Sequence, residues 1–408
     1  MKAHLFATNP AAWAICPTRF LLAFAQGGLL SPLLPLLRDT FQVSYGELGL
    51  LTSAFGLSAV GMDIFATSFL SRRPLFKVLL QGICLTGLGL LCCALAPGFY
   101  WLVGSRVLLG FGVSMARFAC LTVMVTATPR TAQGRAHNLL EFAAIAGSAI
   151  SPVWSGFVAA FLHWRAAYGT ALLFVVGAFA WVLYTRQALA QAIEIGAKNQ
   201  LAPPPRPAVS ASLAPSYEAR AALLAYLSAF VLSFIWAGFL STALPLFGGE
   251  VVGLSTTMLG AIMTAGLLVD LALLLPIGWV ADRLEGRIVI GPALLLMALT
   301  LAWLPQATTM ATLLLISLCL HASFATWGMP SAALAVLTRG AQQARAMALY
   351  RLLVDGGAVL APWLIGTLIE RYGYRLPAQS TAVVVALTAV LVVWGLRPGR
   401  RRWSPHAT

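Results

Sequence analysis

Twelve apolar stretches of roughly 20 residues alternate with polar or Pro-rich segments along this sequence. A helix of about 20 residues crosses the hydrocarbon core of a bilayer, so each stretch predicts one transmembrane helix. Only 9% of the residues are charged, against about a quarter in soluble domains, which indicates an all-α integral membrane protein. The predicted spans are 16–37, 48–70, 77–96, 101–126, 138–161, 166–185, 221–247, 258–280, 288–304, 311–336, 347–369 and 378–396.

Residues 135–165 and 345–375 are two versions of one passage, at a constant offset of 210 residues. Glycine, proline and terminal arginine positions coincide without a gap. The coinciding pairs are Arg135/Arg345, Gly147/Gly357, Pro152/Pro362, Gly156/Gly366 and Arg165/Arg375. A duplicated, mostly apolar half is typical of secondary transporters.

The duplication predicts two domains of six helices each. We expect an amino-terminal bundle in residues 1–190 and a carboxy-terminal bundle with a basic tail in residues 220–408. Residues 191–219 between them include the run LAPPPRPAVSASLAPS, which is too polar and too rich in proline to cross a membrane. This segment is expected to be a linker on the cytoplasmic side.

The basic residues are distributed unequally between the two sides of the predicted topology. Most lie at the termini and in the even-numbered connections, whereas the odd-numbered connections hold only Arg38, Arg165, Arg371 and Arg375. By the positive-inside rule, this bias predicts a multi-pass protein of the cell's inner membrane with both termini in the cytoplasm. It also accounts for the net charge of +14 through contacts with membrane lipids, without a nucleic-acid partner.

Eight charged residues lie within the spans or at their edges. A charge in the hydrocarbon region costs about 3 kcal/mol or more, so these groups are expected to face a cavity or one another. None of them falls in spans 3, 6, 9 or 12. The eight residues are Arg19, Asp63, Arg106, Arg117, Glu141, Asp270, Arg351 and Asp355.

Several motifs resemble those of the major facilitator superfamily over essentially the whole chain. The segment GWVADRLEGR (278–287) is similar to the family's loop signature between the second and third helices of a half, while TSFLSRRPLFK (67–77) has Ser71 at the Asp position. RVLLG (106–110) is similar to the family's RxxxG signature in the fourth span. The passage with Gly147, Ser151, Pro152, Ser155 and Gly156 is similar to a first-half signature of its exporters.

The resemblance implies two six-helix bundles related by a pseudo-two-fold axis, with spans 1, 4, 7 and 10 lining a central cavity. It also implies gating residues in the matched motifs. These gating residues are Arg72, Arg106, Asp282, Arg283 and Arg287.

Candidate solute-binding residues are polar or aromatic positions within the spans. Arg117 is the strongest candidate to bind an anionic group, because a guanidinium stays charged when desolvated and can hold a carboxylate through two hydrogen bonds. Pairing with Glu141 in the neighbouring span is the alternative. Arg19, by contrast, is expected to be either an interfacial anchor or part of a gate salt bridge at a cytoplasmic helix end. The further candidates for solute binding are Gln26, Trp236, His321, Trp327, Tyr350 and Arg351.

Candidate proton carriers are the acids within the spans, with Asp270 first and Glu141, Asp63 and Asp355 after it. A structural hydrogen bond is the alternative role for Asp270. Arg351 and Asp355 share one helix face and form either a pair that opens during transport or a permanent pair. We also expect Asp63 and Arg351 to meet on the cytoplasmic side.

Motifs for nucleotide, metal or covalent chemistry are absent from the sequence. There is no GxxxxGK[ST], HExxH, CxxC or GxSxG motif, and the six cysteines lie in apolar spans without ligand spacing. The sequence therefore predicts no cofactor, no metal site and no enzymatic activity.

The sequence predicts a monomeric, proton-coupled secondary transporter that exports a small anionic or zwitterionic organic solute. An uptake symporter for an organic anion is the closest alternative. A membrane sensor or lipid-handling protein that transports nothing is an alternative of a different class.

Overall fold

The structure is a computed structural model that describes residues 10–68, 73–129, 132–201, 215–283, 286–338 and 340–395. Throughout these ranges the secondary structure is helical, with no strand. The helices of the first half are α1 (Pro10–Gln26), α2 (Leu34–Phe41), α3 (Tyr45–Ser68), α4 (Leu75–Ala94), α5 (Phe99–Thr126), α6 (Gln133–Phe161), α7 (Trp164–Tyr184) and α8 (Arg186–Leu201).

The second half begins with α9 (Pro215–Ile235), which continues into a π-helix (Trp236–Ala243) and then α10 (Leu244–Glu250). The remaining helices are α11 (Thr256–Arg283), α12 (Gly286–Trp303), α13 (Met310–Phe324), α14 (Met329–Leu337), α15 (Gly340–Tyr372) and α16 (Arg375–Gly395).

Eleven helical segments among the described residues are long and apolar enough to cross a membrane. They correspond to eleven of the twelve predicted spans. The second predicted span corresponds to α3, whose side chains from residue 63 onward lie outside the described residues. The all-α, multi-pass architecture predicted from the apolar stretches is confirmed.

Three predicted spans are interrupted helices. The first breaks between α1 and a short 3-10 turn at Ser31–Leu33, where Gly28 adopts a φ of +83°, a conformation that favours glycine. The seventh contains the π-helix, in which the Thr242 hydroxyl donates to the Ala237 carbonyl at 2.8 Å. The tenth breaks after Phe324 and restarts at Met329, where Pro330 lacks the N–H that a helix start leaves unpaired anyway.

Helix α8 occupies the start of the segment that the sequence marks as too polar to cross a membrane. Its buried face consists of Leu189, Ala192 and Gly196. A Cβ atom at Gly196 would lie only 2.6 Å from the Thr126 hydroxyl at the end of α5. On its exposed face Lys198 pairs with Glu194 at 2.8 Å, and this hydrogen bond lowers the pKa of Glu194. The helix is thus amphipathic, and its buried face packs against the end of α5.

The described residues group into two compact units. The first unit consists of the described residues within Met1–Phe41, Ala54–Ala208 and Ser255–Thr264. The second consists of those within Gln42–Ser53, Val209–Leu254 and Ala265–Thr408. Each unit therefore includes a short segment from the other half of the sequence, the start of α11 in the first unit and the start of α3 in the second.

Candidate functional site

A group of three charged residues lies inside the first unit, on α1, α5 and α6. Arg19 on α1 is only 8% exposed, and it interacts electrostatically with Glu141 of α6 and with Arg117 of α5. Its Nε atom is buried and has no hydrogen-bond partner among the described residues. Arg117 and Glu141 are half-buried. We call Arg19, Arg117 and Glu141 the arginine cluster.

The expectation that Arg19 is an interfacial anchor is wrong. The apolar pattern places the start of the first span at residue 16, which puts Arg19 near its end. The helix in fact starts at Pro10 and continues to Gln26, so Arg19 lies in its middle. Gln26, a predicted solute-binding residue, is the last residue of α1 and is half-buried.

Arg106 lies elsewhere in the first unit. It is buried on α5, with its guanidinium carbon 5.0 Å from the centre of the Phe55 ring. It also interacts electrostatically with Cys93 and Tyr168. These neighbours surround Arg106 with apolar and aromatic groups of α3, α4 and α7.

An aromatic group forms where two interrupted helices of the second unit meet. Trp236, the first residue of the π-helix, stacks on Phe324 at the end of α13, with ring centres 4.7 Å apart. The ring centre of Trp327 lies 4.9 Å from that of Phe324. The ring of His321 lies edge-on to Trp236, with 6.1 Å between the ring centres. Three predicted solute-binding residues are thus neighbours. Phe324, which the sequence did not single out, lies between them.

Asp270 lies on α11, one helical turn beyond Gly266. The ring of His321 packs so closely on Gly266 that a Cβ atom there would collide with it. Nδ1 of His321 lies 2.9 Å from the Ser317 carbonyl, which fixes the ring on its own helix. Asp270 is 5% exposed, and no hydrogen-bond donor or charged group of the described residues acts on its carboxyl group. The glycine therefore brings the helix that carries Asp270 against the helix that carries His321.

Tyr350, Arg351 and Asp355 lie together on α15. Tyr350 is buried against Leu334 of α14 and Ala229 of α9, and its hydroxyl hydrogen-bonds with Ser331. Arg351 is exposed and Asp355 is half-buried, and both interact electrostatically with Tyr350.

Several predicted residues cannot be placed. The side chains of Asp63, Asp282 and Arg287, and Arg72 as a whole, lie outside the described residues. Arg283 is exposed at the end of α11, with its guanidinium carbon 3.7 Å from the centre of the Trp279 ring.

A polar cluster that the sequence did not predict lies in the second unit. The phenol of Tyr45, the first residue of α3, donates a hydrogen bond to the Glu250 carboxylate at the end of α10. The phenol of Tyr374 donates to the same Oε2 atom at 3.0 Å. The Tyr45 backbone N–H donates to Glu370 Oε2 at 2.8 Å. We call Tyr45, Glu250, Glu370 and Tyr374 the tyrosine–carboxylate cluster.

Within the tyrosine–carboxylate cluster, Tyr374 lies outside the membrane-spanning segments, between the spans that end at Tyr372 and begin at Arg375. Burial and the neighbouring Glu250 carboxylate raise the pKa of this phenol above its usual range. Its proton is therefore held by the hydrogen bond to Glu250. Sequence separations of 205 and 325 residues hide these contacts from local patterns.

Comparison with known proteins gives one family and several related folds. A model described as Major Facilitator Superfamily matches residues 18–268 and 222–407. No curated protein sequence matches the chain. A solved POT family transporter in complex with 5-aminolevulinic acid has a TM-score of 0.75 at 12% identity, and the alignment covers 94% of this chain and 95% of that one.

Two more solved structures share the fold. A POT peptide transporter in complex with sulfate has a TM-score of 0.75 at 13% identity, covering 95% of this chain and 94% of that one. A bacterial homologue of the human lysosomal transporter Spinster, inward-facing and unoccupied, has a TM-score of 0.66 at 15% identity, covering 95% and 97%. At these identities the likeness concerns the fold alone.

Proposed function

The chain belongs to the major facilitator superfamily, and on this premise we propose that it is a proton-coupled secondary transporter that exports a small anionic or zwitterionic organic solute. It works by alternating access, as a monomer surrounded by inner-membrane lipids, with both termini in the cytoplasm. Residues 1–190 and 220–408 serve as the two moving domains, and residues 191–219 connect them. Arg72, Arg106, Asp282, Arg283 and Arg287 act in gating.

Proton coupling rests chiefly on Asp270. Its carboxyl group is buried on a membrane-crossing helix, and no hydrogen bond or charge among the described residues acts on it. A permanently charged carboxylate there costs about 3 kcal/mol on insertion scales, whereas the protonated form carries no charge. Cycling between these forms couples a proton to the movement of the site. Glu141, Asp63 and Asp355 are further candidate carriers.

The proposal that the solute carries a negative charge is supported by the arginine cluster, in which two arginines interact with one glutamate. Trp236 and Trp327, which flank Phe324 in the second unit, are further proposed solute-binding residues. Arg351, Gln26, His321 and Tyr350 complete the proposed solute-binding set. One structural neighbour holds 5-aminolevulinic acid, a zwitterion, which agrees with this class of solute.

Export is supported by the similarity of the first copy of the repeated passage, with Gly147, Pro152 and Gly156, to the signature of exporters in the family. Gly147 on α6 lies against the backbone of α1 so closely that a Cβ atom would collide with the Phe20 carbonyl. This close helix approach is what the small residues of the exporter-like signature provide. Uptake of an organic anion with protons remains the competing direction.

The coupling test uses purified protein in liposomes that contain a pH-sensitive dye. A panel of carboxylates and amino acids is added outside, and solute-dependent proton movement is recorded for the wild type and for Asp270→Asn. We expect wild-type proton movement with at least one compound and a loss of about 10-fold or more in Asp270→Asn, because an amide binds no proton at this pH. Equilibrium exchange of that compound should persist in the variant.

Glu194→Gln is the control, because Glu194 is exposed on α8 and paired with Lys198. It should keep wild-type rates. Equal proton movement in Asp270→Asn and wild type contradicts the role of Asp270. Opposite signs of solute flux under one imposed pH gradient distinguish export from uptake. A wild type that moves none of the panel favours the alternative that the protein transports nothing.

A further inference from the structure

Arg19 combines burial with an unsatisfied hydrogen-bond donor. The side chain is 8% exposed, and its Nε atom has no hydrogen-bond partner in the described chain. Leaving a charged donor buried without a partner is strongly unfavourable, and folded proteins rarely retain one. A binding role explains why this arginine is kept in the middle of α1.

The immediate surroundings of Arg19 carry an excess of positive charge. Glu141 favours the charged guanidinium and Arg117 opposes it, and within the described part of the chain the Cys120 thiol is the only other titratable group that acts on it. Two arginines against one glutamate leave one uncompensated positive charge. The cluster is therefore complementary to a group with a single negative charge.

The other helices packed against α1 do not compensate this excess among the described residues. On α7, Arg165 donates through Nη2 to the Ala96 carbonyl at 2.8 Å and stacks on Trp164. On α8, Lys198 and Glu194 are exposed and pair with each other. On α6, Arg135 and His137 are exposed. The buried Arg106 of α5 lies over Phe55.

We propose that Arg19, together with Arg117, binds the carboxylate of the solute, and that Glu141 is the counter-ion of the empty site. This proposal rests on the proposed transport of an organic anion, and it adds Arg19 as a residue that binds the anion. A guanidinium binds a carboxylate through two parallel N–H donors, and its positive charge persists when water is excluded. Arg117 is half-buried and keeps some hydration, so Arg19 supplies the desolvated contact.

The first test compares two arginine variants without any solute. Arg19→Leu should raise the melting temperature of the purified protein by about 2 °C, because it removes an unsatisfied buried charge and leaves Arg117 and Glu141 balanced. Arg165→Leu is the matched control in the same unit. It should lower the melting temperature, because it removes a satisfied hydrogen bond and a ring contact.

The second test uses benzoate as a probe, with benzamide as its uncharged isostere and sodium chloride at equal ionic strength. Benzoate should raise the melting temperature of the wild type, and benzamide should not. Arg19→Leu should lose this response, and Arg19→Lys should keep less than half of it, since an ammonium lacks the two parallel donors. Glu141→Gln should enlarge the response, because the internal counter-ion is gone.

Three results overturn the proposal. The first is a fall in melting temperature for Arg19→Leu like that for Arg165→Leu, and the second is no benzoate response in the wild type. The third is an equal response in the wild type and Arg19→Leu. These readouts need no transport, so they are separable from the liposome assay. If the liposomes show no flux while the benzoate pattern holds, transport fails and the anion site stands.

Discussion

The repeated passage makes equivalent contacts in the two units, and the two contacts differ in their polar chemistry. In the first unit, Pro152 and Gly156 of α6 lie against the start of α11. A Cβ atom at Gly156 would collide with the Thr256 carbonyl, and one at Gly260 would collide with the Pro152 carbonyl. Each of the two helices thus contributes a glycine that allows their backbones to approach closely.

In the second unit, Pro362 and Gly366 of α15 lie against the start of α3 in the same way. A Cβ atom at Gly366 would collide with the Tyr45 carbonyl, and one at Gly49 would collide with the Pro362 carbonyl. The prolines and the first glycines of the two contacts are related by the offset of 210 residues. Gly49 and Gly260 are one residue away from that offset.

The polar groups around the two contacts have diverged. In the first unit they are neutral: the Thr256 hydroxyl donates to the Gly156 carbonyl at 3.1 Å, and the Val153 N–H donates to the Thr264 hydroxyl at 3.2 Å. In the second unit the tyrosine–carboxylate cluster adds two carboxylates. Hydrogen bonds to charged groups contribute about 1.5–3 kcal/mol, against about 1 kcal/mol for neutral ones. The duplication preserved the close-packed proline and glycine positions, which we call the steric frame, and changed the polar groups around them.

The largest effect should follow from adding a methyl group to the close-packed glycine of the steric frame in either unit. Gly156→Ala and Gly366→Ala each place a Cβ atom against a backbone carbonyl that cannot rotate away. Overpacking of this kind costs about 1–3 kcal/mol, so we expect lower melting temperatures and at least a several-fold loss of solute-driven proton movement in both variants. Thermal unfolding and the liposome assay measure these effects.

Gly169→Ala and Gly356→Ala are the controls, one in each unit, because no other part of the described structure lies within 4 Å of the added Cβ apart from the adjacent backbone of the same helix. Both lie within helices, where alanine is favoured over glycine by up to about 1 kcal/mol, so they should be neutral or stabilising. If Gly156→Ala is damaging and Gly366→Ala is not, the frame is not shared between the two repeats.

A smaller effect should distinguish the two contacts. Tyr45→Phe removes one phenol that donates to the Glu250 carboxylate, whereas Thr256→Val removes one neutral hydroxyl that donates to a carbonyl. We expect Tyr45→Phe to lower the free energy of unfolding by about 2 kcal/mol and Thr256→Val by about 1 kcal/mol. Denaturation of the purified variants under one condition measures the difference.

Combining Tyr45→Phe with Glu250→Gln gives the control for this comparison. Because the amide oxygen of glutamine still accepts a hydrogen bond, adding Tyr45→Phe to Glu250→Gln should cost only about 1 kcal/mol, against about 2 kcal/mol in the wild type. Thr256→Val with Glu250→Gln should instead show additive losses. Additivity in both pairs contradicts the proposed difference between the contacts.

The fold was predictable because lipid imposes it on the sequence. A helix that crosses a bilayer needs a long apolar stretch, and the repeat offset is visible along the chain, so spans such as 288–304 differ from α12 only at their ends. The interruptions were not predictable. Hydropathy does not locate the π-helix at Trp236, and Pro330, close to the break after Phe324, lies inside an apolar stretch that is long enough to be one continuous span.

The candidate site was predictable only in part. Charge within a span singled out Arg117, Glu141 and Asp270. Arg19 was misplaced because hydropathy does not locate the start of a helix to within a turn. The tyrosine–carboxylate cluster was missed because Glu250 and Glu370 at helix ends resemble ordinary interfacial residues, and their partners are hundreds of positions away.

The smallest effect is a change in how steeply stability falls above about pH 10, and it arises in the second unit. The raised pKa of Tyr374 means that the folded protein holds this phenol proton more tightly than the unfolded chain, where the pKa is about 10. The resulting stabilisation is complete below about pH 10 and is lost as the pH rises further, because ionised Tyr374 would face the Glu250 carboxylate. The melting temperature of the wild type should therefore fall more steeply above about pH 10 than that of Tyr374→Phe.

Tyr184→Phe is the control, since Tyr184 is 77% exposed in the first unit and its ring contacts Trp181 rather than a carboxylate. The melting temperature of this variant should fall above about pH 10 as steeply as that of the wild type. At neutral pH, Tyr374→Phe should be less stable than the wild type by one hydrogen bond, and the two curves should converge as the pH rises. Parallel curves over the whole range would mean that Tyr374 does not hold its proton through Glu250, and the polar difference between the two contacts would then rest on Tyr45 alone.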